Sequence, residues 1–225
     1  MLLGVGAKKS SVYIDDCFYT HVYEGNGSSS GQNITGSDFK PDLVWIKGRN
    51  HTANHILVDS VRGDNKVLYS NTNDDEDTNE DYVNSRFEGG FKVGNSGITN
   101  GSNETNVGWT WKKQEGFFDV VEFTETNDNL AVSHLLGCIP GMIIMKRKNG
   151  TSDWIVYHRD VLDGALKLNT SAAREDLGTD WCPVSNSTFT FKPTDIGTGV
   201  GSEWVAYVFA GGEVDNNSVQ FDGTD

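Results

Sequence analysis

The chain has 225 residues, 36% hydrophobic and 11% aromatic, with 26 glycines against 4 prolines and a formal net charge of -14. That is apolar material for one large β domain or two ordinary ones, and so acidic a surface repels phosphate backbones, so no nucleic-acid partner is expected. No apolar run approaches the roughly 20 residues of a membrane span, so no membrane insertion is expected either. The opening "MLLGVGAKKSS" has too short an apolar run for a secretory leader, and its lysines follow that run. Residues 1–16 read as an N-terminal arm, and the chain as one made in a cytoplasm without export.

The elements that follow come in a fixed order. "FYTHVYEGNG" (Phe18 to Gly27) is a strand running into a polar turn. "PDLVWIKGRN" (Pro41 to Asn50) is a short apolar run bounded by turn signals, which reads as a buried strand. "HILVDSVRGDNKVLYSNT" (His55 to Thr72) has two alternating runs around a Gly- and Asp-containing turn and reads as a hairpin. A long acidic loop, "NTNDDEDTNEDY" (Asn71 to Tyr82), comes next, and "FKVGNSGITNGSNETNVGWTWK" (Phe91 to Lys112) closes the unit with aromatics at period two.

The same order then recurs about a hundred residues on, the length of a duplicated domain. "FDVVEFTETN" (Phe118 to Asn127) answers the first strand, and "PGMIIMKRKN" (Pro140 to Asn149) the second, with Lys146 on Lys47 and Asn149 on Asn50. "WIVYHRDVLDGALKLNTS" (Trp154 to Ser171) answers the hairpin, and "FTFKPTDIGTGVGSEWVAYVFA" (Phe189 to Ala210) the closing aromatic strand. Only "AAREDLGTDW" (Ala172 to Trp181) suggests a helical turn or two. The prediction is an all-β chain of two tandem, jelly-roll-like β-sandwiches arising from an internal duplication: an arm at 1–16, repeats at 17–115 and 116–213, and a linker or first strand of a following domain at 214–225.

Candidate sites are few. Asp74, Asp75, Asp77 and Asp81 lie in the carboxylate-rich loop. Calcium takes six to eight oxygens and is the candidate ion there, although EF-hand spacing is absent and a solvated, mobile loop is the favoured reading of the run. No other cofactor is expected. His51 and His55 stand four apart without a nearby third ligand. Three cysteines, Cys17, Cys138 and Cys182, give no disulfide framework, and Cys138 reads as a small buried hydrophobe. Among the tryptophans, Trp45, Trp109 and Trp111 fall at strand-core positions, whereas Trp154 and Trp181 lie near turns and are the rings expected to be exposed, where sugars could stack. Nucleophile-elbow, zincin and P-loop motifs do not occur, and the chain is not expected to be an enzyme.

Taken together, "PDLVWIKGRN…HILVDSVRG…LYSNT" and "DVVEFTETN…VSHLLGCIPGMIIMKRKNGTSDWIVYH…LKLNTSA…WVAYVFA" resemble a repeated β domain of tailed-bacteriophage structural proteins. The resemblance covers about residues 17–212. Where that family has Thr-Gly-Asn-Gly at its first turn, this chain has Glu24-Gly25-Asn26-Gly27 in one copy and Thr124-Glu125-Thr126-Asn127 in the other. The closing "SVQFDGTD" (Ser218 to Asp225) is similar to the first strand of a concanavalin-like jelly roll. The resemblance implies a virion component, a tail fibre or appendage, assembled in the host cytoplasm. It would be anchored through the arm to other tail or capsid proteins and would commonly be homotrimeric. The alternatives are a carbohydrate-binding module contacting host surface glycans through Trp154 and Trp181, a capsid-surface decoration protein, and, from a different class, a polysaccharide hydrolase.

Overall fold

The structure, a computed structural model, describes residues 12–212; the arm before residue 12 and the final "SVQFDGTD" lie outside the described residues. After a short 3-10 turn (Ile14–Asp16), the first repeat runs β1 (Phe18–Glu24), β2 (Gln32–Thr35), β3 (Leu43–Gly48), β4 (Ile56–Asp59), β5 (Gly63–Tyr69), β6 (Asp77–Thr78), β7 (Val83–Phe87), β8 (Gly90–Val93), helix α1 (Gly97–Asn100) and β9 (Thr105–Trp111). The second runs β10 (Phe118–Thr124), β11 (Leu130–Ser133), β12 (Pro140–Arg147), β13 (Ile155–His158), β14 (Gly164–Lys167), β15 (Glu175–Asp176), β16 (Thr188–Phe191), α2 (Pro193–Ile196) and β17 (Glu203–Ala210).

The two repeats have the same strand order. One six-stranded sheet is β1-β9-β3-β4-β5-β6, the other β10-β17-β12-β13-β14-β15, and every pairing is antiparallel. Register agrees as well: Leu43 pairs with Trp111 as Met142 pairs with Phe209, and Ile56 with Tyr69 as Ile155 with Lys167. The sequence match of Trp109 and Trp111 to Tyr207 and Phe209 is therefore also a match of position. A smaller sheet covers one face of each large one, β2-β8-β7 in the first repeat and β11-β16 in the second.

This layering explains why "LVWI" and "MIIM" are apolar without alternation: a strand covered on both faces needs no polar side. Val44, Ile46, Ile56, Val58 and Val67 face the small sheet and meet Ile34, Val83, Phe91 and Val93. Leu43, Leu57 and Leu68 face the other way, into a cluster with Phe118, Val120, Ile144, Trp154, Val156, Val205 and Tyr207 of the second repeat. On the far side, Ile143, Met145, Trp204, Ala206 and Val208 pack on Val132, Phe189 and Phe191. The described residues thus form an all-β stack of four sheets, small, large, large, small, with three cores. The middle core belongs to both repeats.

The connection between the repeats is tied down at each step. The Lys112 amide donates to Cys17, Lys113 to the Asp42 carboxylate at 2.7 Å, and Gly116 to Leu136. Asp119, buried, accepts from Leu135 N at 2.7 Å and pairs with Lys113 Nζ at 2.8 Å. The stretch expected to be helical, Ala172–Trp181, instead holds the two-residue strand β15. Its charged residues pair with the hairpin beside it, Arg174 with Asp163 and Lys167 with Glu175, and that edge geometry outweighs local helix propensity.

Candidate functional site

The most extensively built polar assembly among the described residues is at the junction of the two large sheets. Asp59 ends β4, and Arg62 follows it in the tight turn to β5, close enough for its Nε to reach Asp59 Oδ2 at 2.5 Å. Tyr207 arrives from β17 of the other repeat. Its hydroxyl donates to Asp59 Oδ2 at 2.8 Å and accepts from the Arg62 guanidinium at 3.1 Å. The remaining Arg62 donors go to the carbonyls of Leu57 and Lys66 and to Glu76. Burial disfavours the Arg62 charge, but Asp59, Tyr207 and Glu76 more than offset it, and its pKa stands above the ordinary value. Burial drives the Tyr207 hydroxyl well above the ordinary tyrosine range. The group is a fixed ion pair with satisfied donors, not a proton-transfer site.

Beside it the acidic loop serves as a strap. Its backbone crosses to the second repeat: Glu76 N donates to Lys148 O at 2.8 Å, and Asn73 O accepts from Ser152 N at 3.0 Å and from Lys146 Nζ at 3.2 Å. The side chains of the candidate calcium residues do not converge. Asp77 accepts from Tyr69 Oη at 2.9 Å, Asp74 and Asp75 face Lys146 only as neighbouring charges, and Asp81 is exposed. No group of three or more His, Cys, Asp or Glu able to hold a metal occurs among the described residues. His51 turns to the Ile98 carbonyl and Glu104, and the His55 backbone is held by Asn71.

The expectation for Trp154 and Trp181 is reversed. Trp154 and Trp181 are 0% and 1% exposed, so neither presents a face to a sugar. Trp154 lies in the middle core, donates its indole N–H to Tyr69 O across the junction at 2.9 Å and stacks on Tyr207. Trp181 packs on Tyr157 in the outer core. Nearness to a turn misled because turns that face another sheet are buried. Trp45 and Trp111, expected in the core, do pack against the middle core but remain partly buried, and Trp109, also expected there, is partly buried and is not among the residues packed on that core. Trp45 and Trp109 meet edge to face at the border of the middle core, with Val22 63% exposed nearby on the same face. Cys138 is likewise only partly buried.

Other features escaped the sequence reading. Glu125 replaces the first repeat's Gly25 and is buried. Its carboxylate accepts from Thr198 N at 3.0 Å, Gly199 N at 2.8 Å and Trp204 Nε1 at 3.2 Å, so the second turn is held by a side chain. In the first turn the Gly25 position is too close to Gly101 O for any Cβ. Lys146 is fully buried and Lys47, its counterpart, is exposed, a difference that identical residues cannot disclose. A shallow groove of about 190 Å³ lies between the edge strands β1 and β2. At its base His21 is buried against Tyr19 and Phe91 and bonded to Thr110, and burial pulls its pKa down, as befits a core histidine.

Residues 13–215 match the model of a protein family described as a domain of unknown function, DUF7483. The chain belongs to this family. The match spans both repeats and the segment that joins them. No curated protein and no solved structure matches the chain.

Proposed function

We propose that this member of the family is a structural component of a tailed-bacteriophage particle, a tail-fibre, appendage or surface protein, and does no chemistry of its own. The observation that carries the reading is the junction. A shared apolar core, a buried Asp59–Arg62–Tyr207 network and strap bonds to Lys146, Lys148 and Ser152 lock two sandwiches into one body. Such a body holds its surface loops in fixed relation, which suits a particle part that must present contacts rather than turn over a substrate. The resemblance of the repeated strands to phage structural proteins points the same way. The test is labelling of purified particles, from the phage that encodes the chain, with antibody to this protein. Gold at a fixed structural position is expected. Protein abundant in infected cells but missing from particles would overturn the proposal.

A further inference from the structure

Among the described residues the two large sheets have four outer edges, and three of them are blocked. β6 and β15 are two residues long and acidic, with Asp77 in one and Glu175 and Asp176 in the other. Short, charged edges discourage the addition of a further strand. β10 is closed by the linker. Glu125 N bonds to Ser202 O and Ala210 N to Phe117 O at the two ends of its ladder with β17. Because directly opposed pairs alternate along an antiparallel ladder, the odd-numbered residues bond inward, and Phe118, Val120 and Glu122 turn their backbone groups outward. Phe118 N and O both bond to Gln114, Val120 O accepts from Lys113 Nζ, and Val120 N donates to the Asp119 carboxylate. Glu122 adds a charge to the same edge.

β1 is the counterpart of β10 and has none of these devices. Cys17 O accepts from Lys112 N, and Gly25 N donates to Glu104 O, so Phe18, Thr20, Val22 and Glu24 face outward. Glu24 O is met by Gln32 Nε2. The outward groups of Phe18, Thr20 and Val22 meet no partner among the described residues. Where the second repeat lays its linker along the edge, the first has the 3-10 turn Ile14–Asp16. Val22, 63% exposed, stands where β10 has Glu122. The groove between β1 and β2 runs along this strand and keeps it open.

We propose that β1 is a strand-addition edge and that its occupant is β1 of a second copy of this chain, antiparallel about a twofold axis. Charge and register argue for that occupant. A chain of net charge -14 repels its own copy over most of its surface, but β1 carries no carboxylate or ammonium from Phe18 to Tyr23. A second copy brings the same uncharged run with the same spacing of outward groups. Pairing centred on Thr20 sets Thr20 against the partner's Thr20 and Phe18 against the partner's Val22. Threonine pairs and aromatic–β-branched pairs are among the favourable cross-strand neighbours of antiparallel ladders. This register leaves Glu24, already bonded to Gln32, outside the pairing. The contact is isologous, so each copy uses up its own edge and assembly stops at two. The inference stands apart from the virion reading and can fail without it.

The experiment is sedimentation velocity of the full chain from micromolar to millimolar protein, with hydrogen exchange read on the amides of β1. V22E installs the residue that the second repeat carries at this place. T20P removes an outward N–H and spares the ladder to β9, as proline on an edge strand can. Circular dichroism checks that both remain folded, and V22E alone decides if T20P does not. The wild type should pass from monomer to a species of twice the mass as concentration rises, with slowed exchange at the Thr20 and Val22 amides. Both variants should lose the heavier species. Wild type monomeric throughout, a dimer equally strong in the variants, or assemblies beyond the dimer would overturn the proposal. So would protection of the Thr20 and Val22 amides in a chain that stays monomeric, since another segment of the same chain would then cover the edge.

Discussion

Single residues settle what the duplication leaves ambiguous. Lys47 and Lys146 occupy one position in two copies, and only the neighbouring strap decides that one is buried. Burial lowers the pKa of Lys146 to about 8, against the opposing pull of Asp75 and Asp74. A lysine whose folded pKa lies below its unfolded 10.5 binds fewer protons folded than unfolded between those values, so it makes stability rise with pH across that window. Chemical denaturation at pH 8 and pH 10 should show wild type gaining on the order of 1–2 kcal/mol relative to K146M over that interval. Removing the cation of the junction is more costly. R62M leaves Asp59 buried and unpaired and should lose about 3–5 kcal/mol. Y207F removes one hydroxyl and should lose about 1–2 kcal/mol in the same assay. Asp59 and Arg62 pair locally in one turn, but nothing in the sequence marks Tyr207 as their partner, because it reaches them only when two sheets from different repeats are stacked.

At the scale of elements much was legible, for a physical reason. Strands and hairpins are short-range patterns, and β3, β12 and both hairpins stand where apolar runs and turn residues place them. The duplicated Asn50 and Asn149 show how a repeat mark becomes a joint. Each side-chain oxygen accepts from the closing strand, Thr105 N at 2.8 Å and Glu203 N at 3.0 Å, and each amide donates back to the loop before it. N50A and N149A should therefore cost alike, about 1–2 kcal/mol each, and add in the double variant because the sites are far apart. What was not legible is which face of an element another element covers. Nearness to a turn suggests an exposed Trp154, and the stacking of the large sheets buries it, while Trp45, read from its strand position, does pack against the same core but only partly buried.

For the whole molecule the decisive quantity is the shared core. Two sandwiches joined by a loose linker would unfold one at a time. Here Leu43, Leu57 and Leu68 lose their cover if the second repeat opens, and Val205 and Tyr207 lose theirs if the first does. Urea unfolding followed by tryptophan fluorescence and by far-ultraviolet dichroism should give one coincident transition, and R62M should shift both signals together. Two separated transitions would show that the repeats are energetically independent.

The aromatic chain at the linker end of the junction has a mechanical meaning. Phe18, where the described chain enters its first strand, touches Trp111 at 5.1 Å between ring centres, and Trp111 touches Phe209, next to the end of the last strand, at 6.2 Å. Entry and exit are one indole apart. Pulling on the two flanks would load only this corner, leaving most of the four-sheet stack out of the line of force. Set within a longer polypeptide, the pair of repeats would hang to one side like a pendant and add breadth rather than reach.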